Sequence, residues 1–168
     1  GFLGFLLVSG SSLGVLLGDS DYWDCFVRPS VEVSFLVATV VILTGPFWAK
    51  PVWGIWWRWE PRMTTFFVLW LMYGGWFLLR GALPPGQQRR TYSAIYALLA
   101  FLNVPVVMLS VYFWKPEQQL HPQSISLDPI MHYTLYASFV VMSLLFLRLL
   151  WLRYDLEVLS RKVEAIRS

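Results

Sequence analysis

Apolar positions along the chain gather into five runs, each long or nearly long enough to cross a bilayer as a helix. A helix needs roughly 20 apolar residues to cross ~30 Å of hydrocarbon. The runs predict membrane spans at about 1–17, 31–45, 63–79, 91–114 and 130–151. The pattern therefore predicts an all-α, polytopic integral membrane helix bundle. We expect residues 1–168 to form a single transmembrane domain of this kind.

Two of the runs carry residues that shape a membrane helix. The first, "GFLGFLLVSGSSLGVLL", is dotted with glycine and serine, and such small residues allow close helix contact. The fourth contains Asn103 and Pro105. A proline inside a helix removes a backbone hydrogen bond, so the fourth span should kink there and free a carbonyl that a neighbour must satisfy.

The distribution of basic residues predicts the orientation. The turn "RGALPPGQQRR" and the tail 152–168 are basic, which places both on the cytoplasmic side. The loops 46–62 and 115–129 then face outward together, and nine of the 13 lysines and arginines lie inside. The segment 18–30 fits least well, because it holds three aspartates and one arginine. Five spans place Gly1 outside, and a sixth helix upstream would put both termini inside.

Composition agrees with lipid as the solvent. Hydrophobic residues make up 57% of the chain and charged residues 14%, with a mean hydropathy of +0.56. A soluble domain of this size cannot bury so much apolar surface. The net charge of +3 does not indicate nucleic acid, because the basic residues flank apolar runs.

Three further patterns limit the chemistry that this chain can perform. Cys25 is the single cysteine and no CxxCH is present, so haem cannot be attached as in c-type cytochromes. No GxxxxGK[ST] loop is present, so any ATP must be used by another protein. In the tail, an apolar 4-3-4-3 stripe suits packing on a partner helix or membrane surface, and a simple extension of the fifth span is the alternative. The stripe comprises Leu152, Leu156, Leu159, Val163 and Ile166.

The most unusual stretch is "PVWGIWWRWEPR", residues 51–62. With Trp48 it places five tryptophans within twelve residues, whereas an interfacial aromatic belt needs only one or two rings per helix end. The spacing of Trp53, Trp56 and Trp57 predicts one face of a short helix lying on the membrane. A bend should follow at the residue before Pro61.

The expected product is an apolar aromatic shelf, completed by Trp59, with Arg58, Glu60 and Arg62 at its edge. It suits a flat apolar ligand with carboxylates, since indoles stack on rings and arginines pair with acids. Haem has that shape, while a quinone, a lipid headgroup or a purely structural belt are alternatives.

Haem also needs axial ligands, and the chain has two histidines. His121 lies in the predicted outer loop 115–129, on the same side as the tryptophans, where a neutral imidazole can bind iron. His132 lies a few residues into the fifth span and is better interpreted as an interfacial polar residue. His121 is therefore the candidate metal ligand.

The residues "WGIWWRWEPRMT" resemble the motif WGxWWxWDxRLT of haem-handling proteins in cytochrome c maturation, and most closely the CcmC family of haem exporter proteins. The flanks "TGPFWAKPVWG", "LNVPVVMLSVYFW" and "LHPQSISLDPIM" agree in order from Thr44 to Met131. Glu60 stands where the family usually has aspartate, and Met63 replaces leucine, which conserves volume.

The resemblance implies six spans, cytoplasmic termini and a bacterial inner-membrane protein with the tryptophan loop in the periplasm. It implies noncovalent, transient haem b on a platform that includes Trp53, Gly54, Trp56, Trp57 and Trp59. Arg58 and Arg62 would meet the propionates, Glu60 would brace the loop, and His121 would ligate iron. The family's other histidine normally lies in an "LHVP" segment before the second span, which would fall upstream of Gly1.

The resemblance further implies a carrier and not an enzyme. Haem would pass to the periplasmic chaperone CcmE, beside the ABC transporter subunits CcmA and CcmB and the small protein CcmD. The alternatives are a haem lyase of the CcsA or CcmF type and a membrane assembly scaffold that binds no haem. A cytochrome b-type electron carrier fits poorly, because it needs histidine pairs within spans.

Overall fold

The computed structural model describes residues 2–113 and 128–167, and these residues form helices with no strand among them. The helices are α1 (Phe2–Leu17), α2 (Ser20–Trp53), α3 (Pro61–Ala82), α4 (Gln87–Phe101), α5 (Asn103–Phe113) and α6 (Pro129–Arg167). Within the described residues, four helical segments are long and apolar enough to cross a membrane, with α4 and α5 counted together as one. The predicted all-α, multi-pass membrane fold is confirmed.

Helix α1 is the short member of the set. Its 16 residues would measure about 24 Å, less than the ~30 Å of a hydrocarbon core. Helix α2 is the opposite case, since its 34 residues would measure about 51 Å. Each predicted span overlaps one helix or helix pair, but their lengths differ from those expected.

The chain divides into two compact units. The first contains α1 to α5 and the second contains α6. In the first unit, α1 packs on α2 and α4, while α3 packs on α2, α4 and α5. The largest fully buried side chains of its core are Trp76, Tyr73, Phe5 and Leu69. Whether the whole chain acts as a single domain stays a prediction.

Small residues let α1 approach its neighbours, as its sequence predicts. Gly4, Ser11 and Ser12 are buried in the helix interface. A Cβ at Gly14 would overlap the indole ring of Trp23 on α2. Glycine is therefore required at position 14 because the α1–α2 hairpin brings an aromatic ring against the α1 backbone.

Helix α2 begins earlier and ends later than its apolar run. Asp19 caps its start, because the carboxylate accepts hydrogen bonds from the backbone N–H groups of Asp21 (2.9 Å) and Tyr22 (3.2 Å). Residues 20–30 and 46–53 thus belong to α2, and the placement of the segments 18–30 and 46–62 outside the membrane stays a prediction. The helix passes through Pro29, Pro46 and Pro51, which membrane helices tolerate better than soluble ones.

The acidic residues at the start of α2 have structural partners. Asp24 accepts two hydrogen bonds from the Arg80 guanidinium on α3, at 2.8 and 2.7 Å. Asp21 pairs with Arg90 on α4 at 2.6 Å. Ser20 of α2 and Gln87 of α4 are joined by a hydrogen bond of 2.7 Å. These contacts bring the start of α2, the end of α3 and the start of α4 together at one end of the first unit, called here the polar end.

The predicted interruption of the fourth span is present. Helix α4 ends at Phe101, and α5 begins at Asn103 after a single turn residue. The amide of Asn103 donates a hydrogen bond of 2.9 Å to the backbone carbonyl of Thr65 on α3. The break thus aims a polar side chain across the helix interface, close to the start of α3.

We expect Asn103→Leu to lower the melting temperature by about 2–4 °C, because one partly buried hydrogen bond worth ~1 kcal/mol is lost. Thermal unfolding of the detergent-solubilised protein, followed by circular dichroism, measures this. Leu102→Ala is the neighbouring control, since Leu102 is 65% exposed. Equal melting temperatures for Asn103→Leu and the parent protein would contradict the bracing role.

Helix α6 continues without interruption from the predicted fifth span into the predicted tail, as one helix of 39 residues. The tail 152–168 is therefore a helical extension as far as Arg167. Its apolar stripe lies on this helix, and packing of the stripe on a partner stays a prediction.

Candidate functional site

The tryptophan-rich segment forms a short non-helical loop between α2 and α3. Helix α2 ends because Gly54 adopts the left-handed conformation (φ 77°), and its N–H donates to the Lys50 carbonyl at 2.9 Å. Glu60 is extended (φ −80°, ψ 158°), and Pro61 opens α3. The predicted bend at Glu60 is confirmed. The loop 54–60 is thus fixed at both ends by backbone geometry.

The predicted short surface helix carrying three tryptophans is wrong. Trp53 is the last residue of α2, whereas Trp56 and Trp57 lie in the loop. The i, i+3, i+4 spacing has no helical meaning here, because Gly54 terminates the helix first. The rings consequently form two clusters instead of one shelf.

The first cluster, called the α2 cluster, surrounds the end of α2. Trp48 and Trp53 meet edge to face at 4.9 Å between ring centroids, and Phe47 meets Trp56 in the same way at 5.7 Å. The Lys50 ammonium lies 5.9 Å from the Trp56 ring centroid. Trp48 and Trp56 are each more than half exposed. The α2 cluster therefore combines exposed aromatic rings with a positive charge.

The second cluster, called the α3 cluster, comprises Trp57, Trp59, Phe67 and Trp70. Phe67 meets both loop tryptophans edge to face, at 6.2 and 5.8 Å, and stacks on Trp70 at 5.9 Å. The Trp70 N–H donates to the Thr39 hydroxyl on α2 at 2.8 Å. Trp59 remains 67% exposed. The α3 cluster therefore connects one exposed ring to the packed α2–α3 interface.

One polar atom of the α3 cluster lacks an acceptor. The indole Nε1 of Trp57 is buried and has no hydrogen-bond partner in the described part of the chain. Leaving a buried donor unsatisfied costs about 1–3 kcal/mol.

The three charged residues of the motif differ in exposure. Arg58 is exposed, Arg62 is half-buried, and Glu60 is buried at 3% exposure. A buried carboxylate is held by interactions within the protein, and a role of Glu60 in bracing the loop stays a prediction. Arg58 and Arg62 have no ion pair within residues 2–113 and 128–167.

The end of α5 lies on the same side of the first unit as the loop. Helix α4 starts at the polar end, and the Asn103–Thr65 contact places the start of α5 four residues into α3. From there α5 runs ten residues further, about 15 Å, to Phe113. Helix α5 thus ends at the end of the unit that carries the loop, called here the tryptophan end.

Of the two histidines, one lies within the described residues and one lies outside them. His121 lies outside the described residues. His132 lies in the first turn of α6, where its Nδ1 is 3.3 Å from the Asp128 carbonyl oxygen. Among the residues described, no group of three or more histidine, cysteine or acidic side chains could hold a metal ion. Iron ligation by His121 stays a prediction.

Comparison with known proteins gives consistent matches. The whole chain, residues 1–168, matches a family described as "CcmC: Heme exporter protein C". A protein named "Heme exporter protein C" from Paracoccus denitrificans is 30% identical over 83% of this chain and 60% of its own length. The Bradyrhizobium diazoefficiens protein of that name is 27% identical over 96% of this chain and 63% of its own length.

The Escherichia coli K12 protein of the same name is 32% identical over 62% of this chain and 43% of its own length. The chain thus spans about 60% of the length of the first two relatives it matches.

Proposed function

The chain belongs to the CcmC family of heme exporter proteins, and from this premise we propose that it binds haem at its tryptophan end and passes the haem to another protein during cytochrome c maturation. The observation that carries the proposal is the exposure of Trp56 and Trp59 beside Arg58, at the end of the bundle where α5 also ends. Exposed indoles beside a cation suit a porphyrin with acidic edges.

The arrangement favours noncovalent, transient binding of haem b. Cys25, the single cysteine, lies near the start of α2, at the polar end and remote from the loop. The loop tryptophans offer ring faces and one buried N–H donor, and neither can form a thioether. A ligand held by stacking and by loop-borne groups can leave when a partner approaches its open edge.

The partners follow from the family. We expect the periplasmic chaperone CcmE to receive the haem, and the ABC transporter subunits CcmA and CcmB with the small protein CcmD to form the surrounding complex. The protein would sit in the bacterial inner membrane with its tryptophan end in the periplasm. In this proposal it is a carrier, and ATP hydrolysis is left to the transporter subunits.

Haem titration of the purified protein in detergent, followed at the Soret band, tests the proposal. We expect Trp56→Ala and Trp59→Ala each to weaken haem binding about tenfold, because loss of ring stacking and apolar contact costs ~1.4 kcal/mol. Trp59→Phe should retain most of the affinity, since a ring face remains.

Trp151→Ala is the matched control, because Trp151 is similarly exposed at 63% but belongs to α6 and is not part of the motif. Equal weakening by this control would contradict a specific platform in the loop. A parent protein that binds no haem would favour the assembly scaffold. Haem binding that survives both loop substitutions would place the porphyrin elsewhere.

A further inference from the structure

Lys50 is a charged residue of the α2 cluster to which the proposed function gives no role. It lies in the last turn of α2, four residues before Gly54. Its ammonium donates a hydrogen bond of 2.9 Å to the Gly54 carbonyl, while the Lys50 carbonyl accepts the Gly54 N–H. The side chain and backbone of Lys50 therefore both hold the turn that begins the loop.

The same ammonium is close to an exposed ring. It lies 5.9 Å from the ring centroid of Trp56, within the range of a cation–π interaction. Trp56 is 53% exposed, and Phe47, which meets it edge to face, is 71% exposed. A cation thus stands at the rim of an aromatic surface that solvent or a ligand can reach.

Pre-organisation distinguishes Lys50 from the arginines of the motif. Lysine and arginine side chains each carry about 2 kcal/mol of rotamer entropy, part of which is lost when they pair with a ligand. Both Lys50 and Arg58 are exposed, but the Lys50 ammonium already contacts Gly54 and Trp56, whereas Arg58 has no ion pair within the described residues. An ammonium has three N–H donors, and the Gly54 carbonyl uses one.

We propose that Lys50 pairs with a carboxylate of the porphyrin while the macrocycle lies against the exposed side of Trp56. The inference rests on the proposed function and makes it more specific, since it assigns a propionate contact to the α2 cluster and to a residue outside the WWxWE core of the motif. A purely structural role is the alternative, because a cation also stabilises the C-terminus of a helix.

Two porphyrins separate the alternatives: iron protoporphyrin with free propionates and its dimethyl ester, which has no carboxylate. Each is titrated into the parent protein, Lys50→Met and Lys50→Gln, the last of which keeps an N–H donor for Gly54 without the charge. We expect both variants to bind the diacid about three- to fivefold more weakly, as for one exposed ion pair. Binding of the ester should change less than twofold.

Lys50→Arg should keep the preference for the diacid, and Arg58→Met should reduce it less than Lys50→Met does. Equal weakening of both porphyrins by Lys50→Met and Lys50→Gln would show that the lysine acts only on the turn, and would overturn the pairing. Unchanged binding of the diacid would overturn it as well. A parent protein that binds neither porphyrin would instead refute the proposed function, and the pairing with it.

Discussion

Asp24→Asn and Arg80→Met are each expected to destabilise the first unit by about 3–5 kcal/mol, because either change breaks a buried ion pair and leaves the remaining charge less well compensated. The two side chains form a bidentate pair between α2 and α3 and are only 4% and 9% exposed. Arg80 also lies 5.2 Å from the ring centroid of Trp76, a fully buried core residue. Loss of either partner therefore disturbs both the polar end and the core.

The double variant Asp24→Asn/Arg80→Met removes both charges, so we expect it to lose less stability than the sum of the two single losses. Contacting residues are commonly coupled by ~0.5–3 kcal/mol, which the double-mutant cycle measures. Unfolding in mixed micelles of increasing SDS content, followed by circular dichroism, gives the four free energies of unfolding.

Arg90→Met is the matched control, because it breaks the ion pair with Asp21, whose side chain is 68% exposed. An exposed pair of this kind contributes under ~1 kcal/mol. If Asp24→Asn were as mild as Arg90→Met, the buried pair would not stabilise the packing of α2 on α3.

Much of the architecture could be predicted because lipid imposes a simple rule on the sequence. Residues that cross hydrocarbon must be apolar over a fixed length, so the spans were recognisable without any long-range information. The bend before Pro61 and the break at Asn103 followed equally from local backbone chemistry. The partner of the Asn103 amide did not, because Thr65 lies 38 residues away in the chain.

The ends of α2 were harder to predict, because the length of an apolar run does not show where a membrane helix begins and ends. Asp19 has the residue type and position of an N-cap, a local signal that could have placed the start at Ser20. The aspartates that follow are paired with arginines from α3 and α4. Hydropathy alone predicted that these aspartates lie outside a span. In the structure they belong to α2, and the ion pairs compensate their charges.

One residue, Gly54, separates the tryptophans of the motif into two clusters. Helical spacing groups Trp53 with Trp56 and Trp57 only if the helix continues, and Gly54 ends it. A glycine after a long apolar run is a recognisable C-cap, but the side each later ring takes is decided by contacts with Phe47 and Phe67. Motif residues could therefore be found from sequence, whereas their arrangement could not.

His121→Ala is expected to weaken haem binding by more than about 100-fold if His121 is the iron ligand that we propose, because even outer-shell partners of ligands are worth about 10–100-fold. The absorption bands of imidazole-ligated iron should be lost and should return when free imidazole is added. The prediction rests on the proposed ligation and on the position of α5, which ends at Phe113 on the side of the tryptophan loop.

His132→Ala is the matched control, because the chain has two histidines and the ring of His132 lies against the Asp128 carbonyl in the first turn of α6. We expect this variant to keep the parent's haem spectrum and affinity. Loss of the imidazole bands in His132→Ala and their persistence in His121→Ala would reverse the ligand assignment. The porphyrin would then have to be bound by α6 instead of by the segment that follows α5, and the tryptophan end of the first unit would no longer be the site at which iron is held.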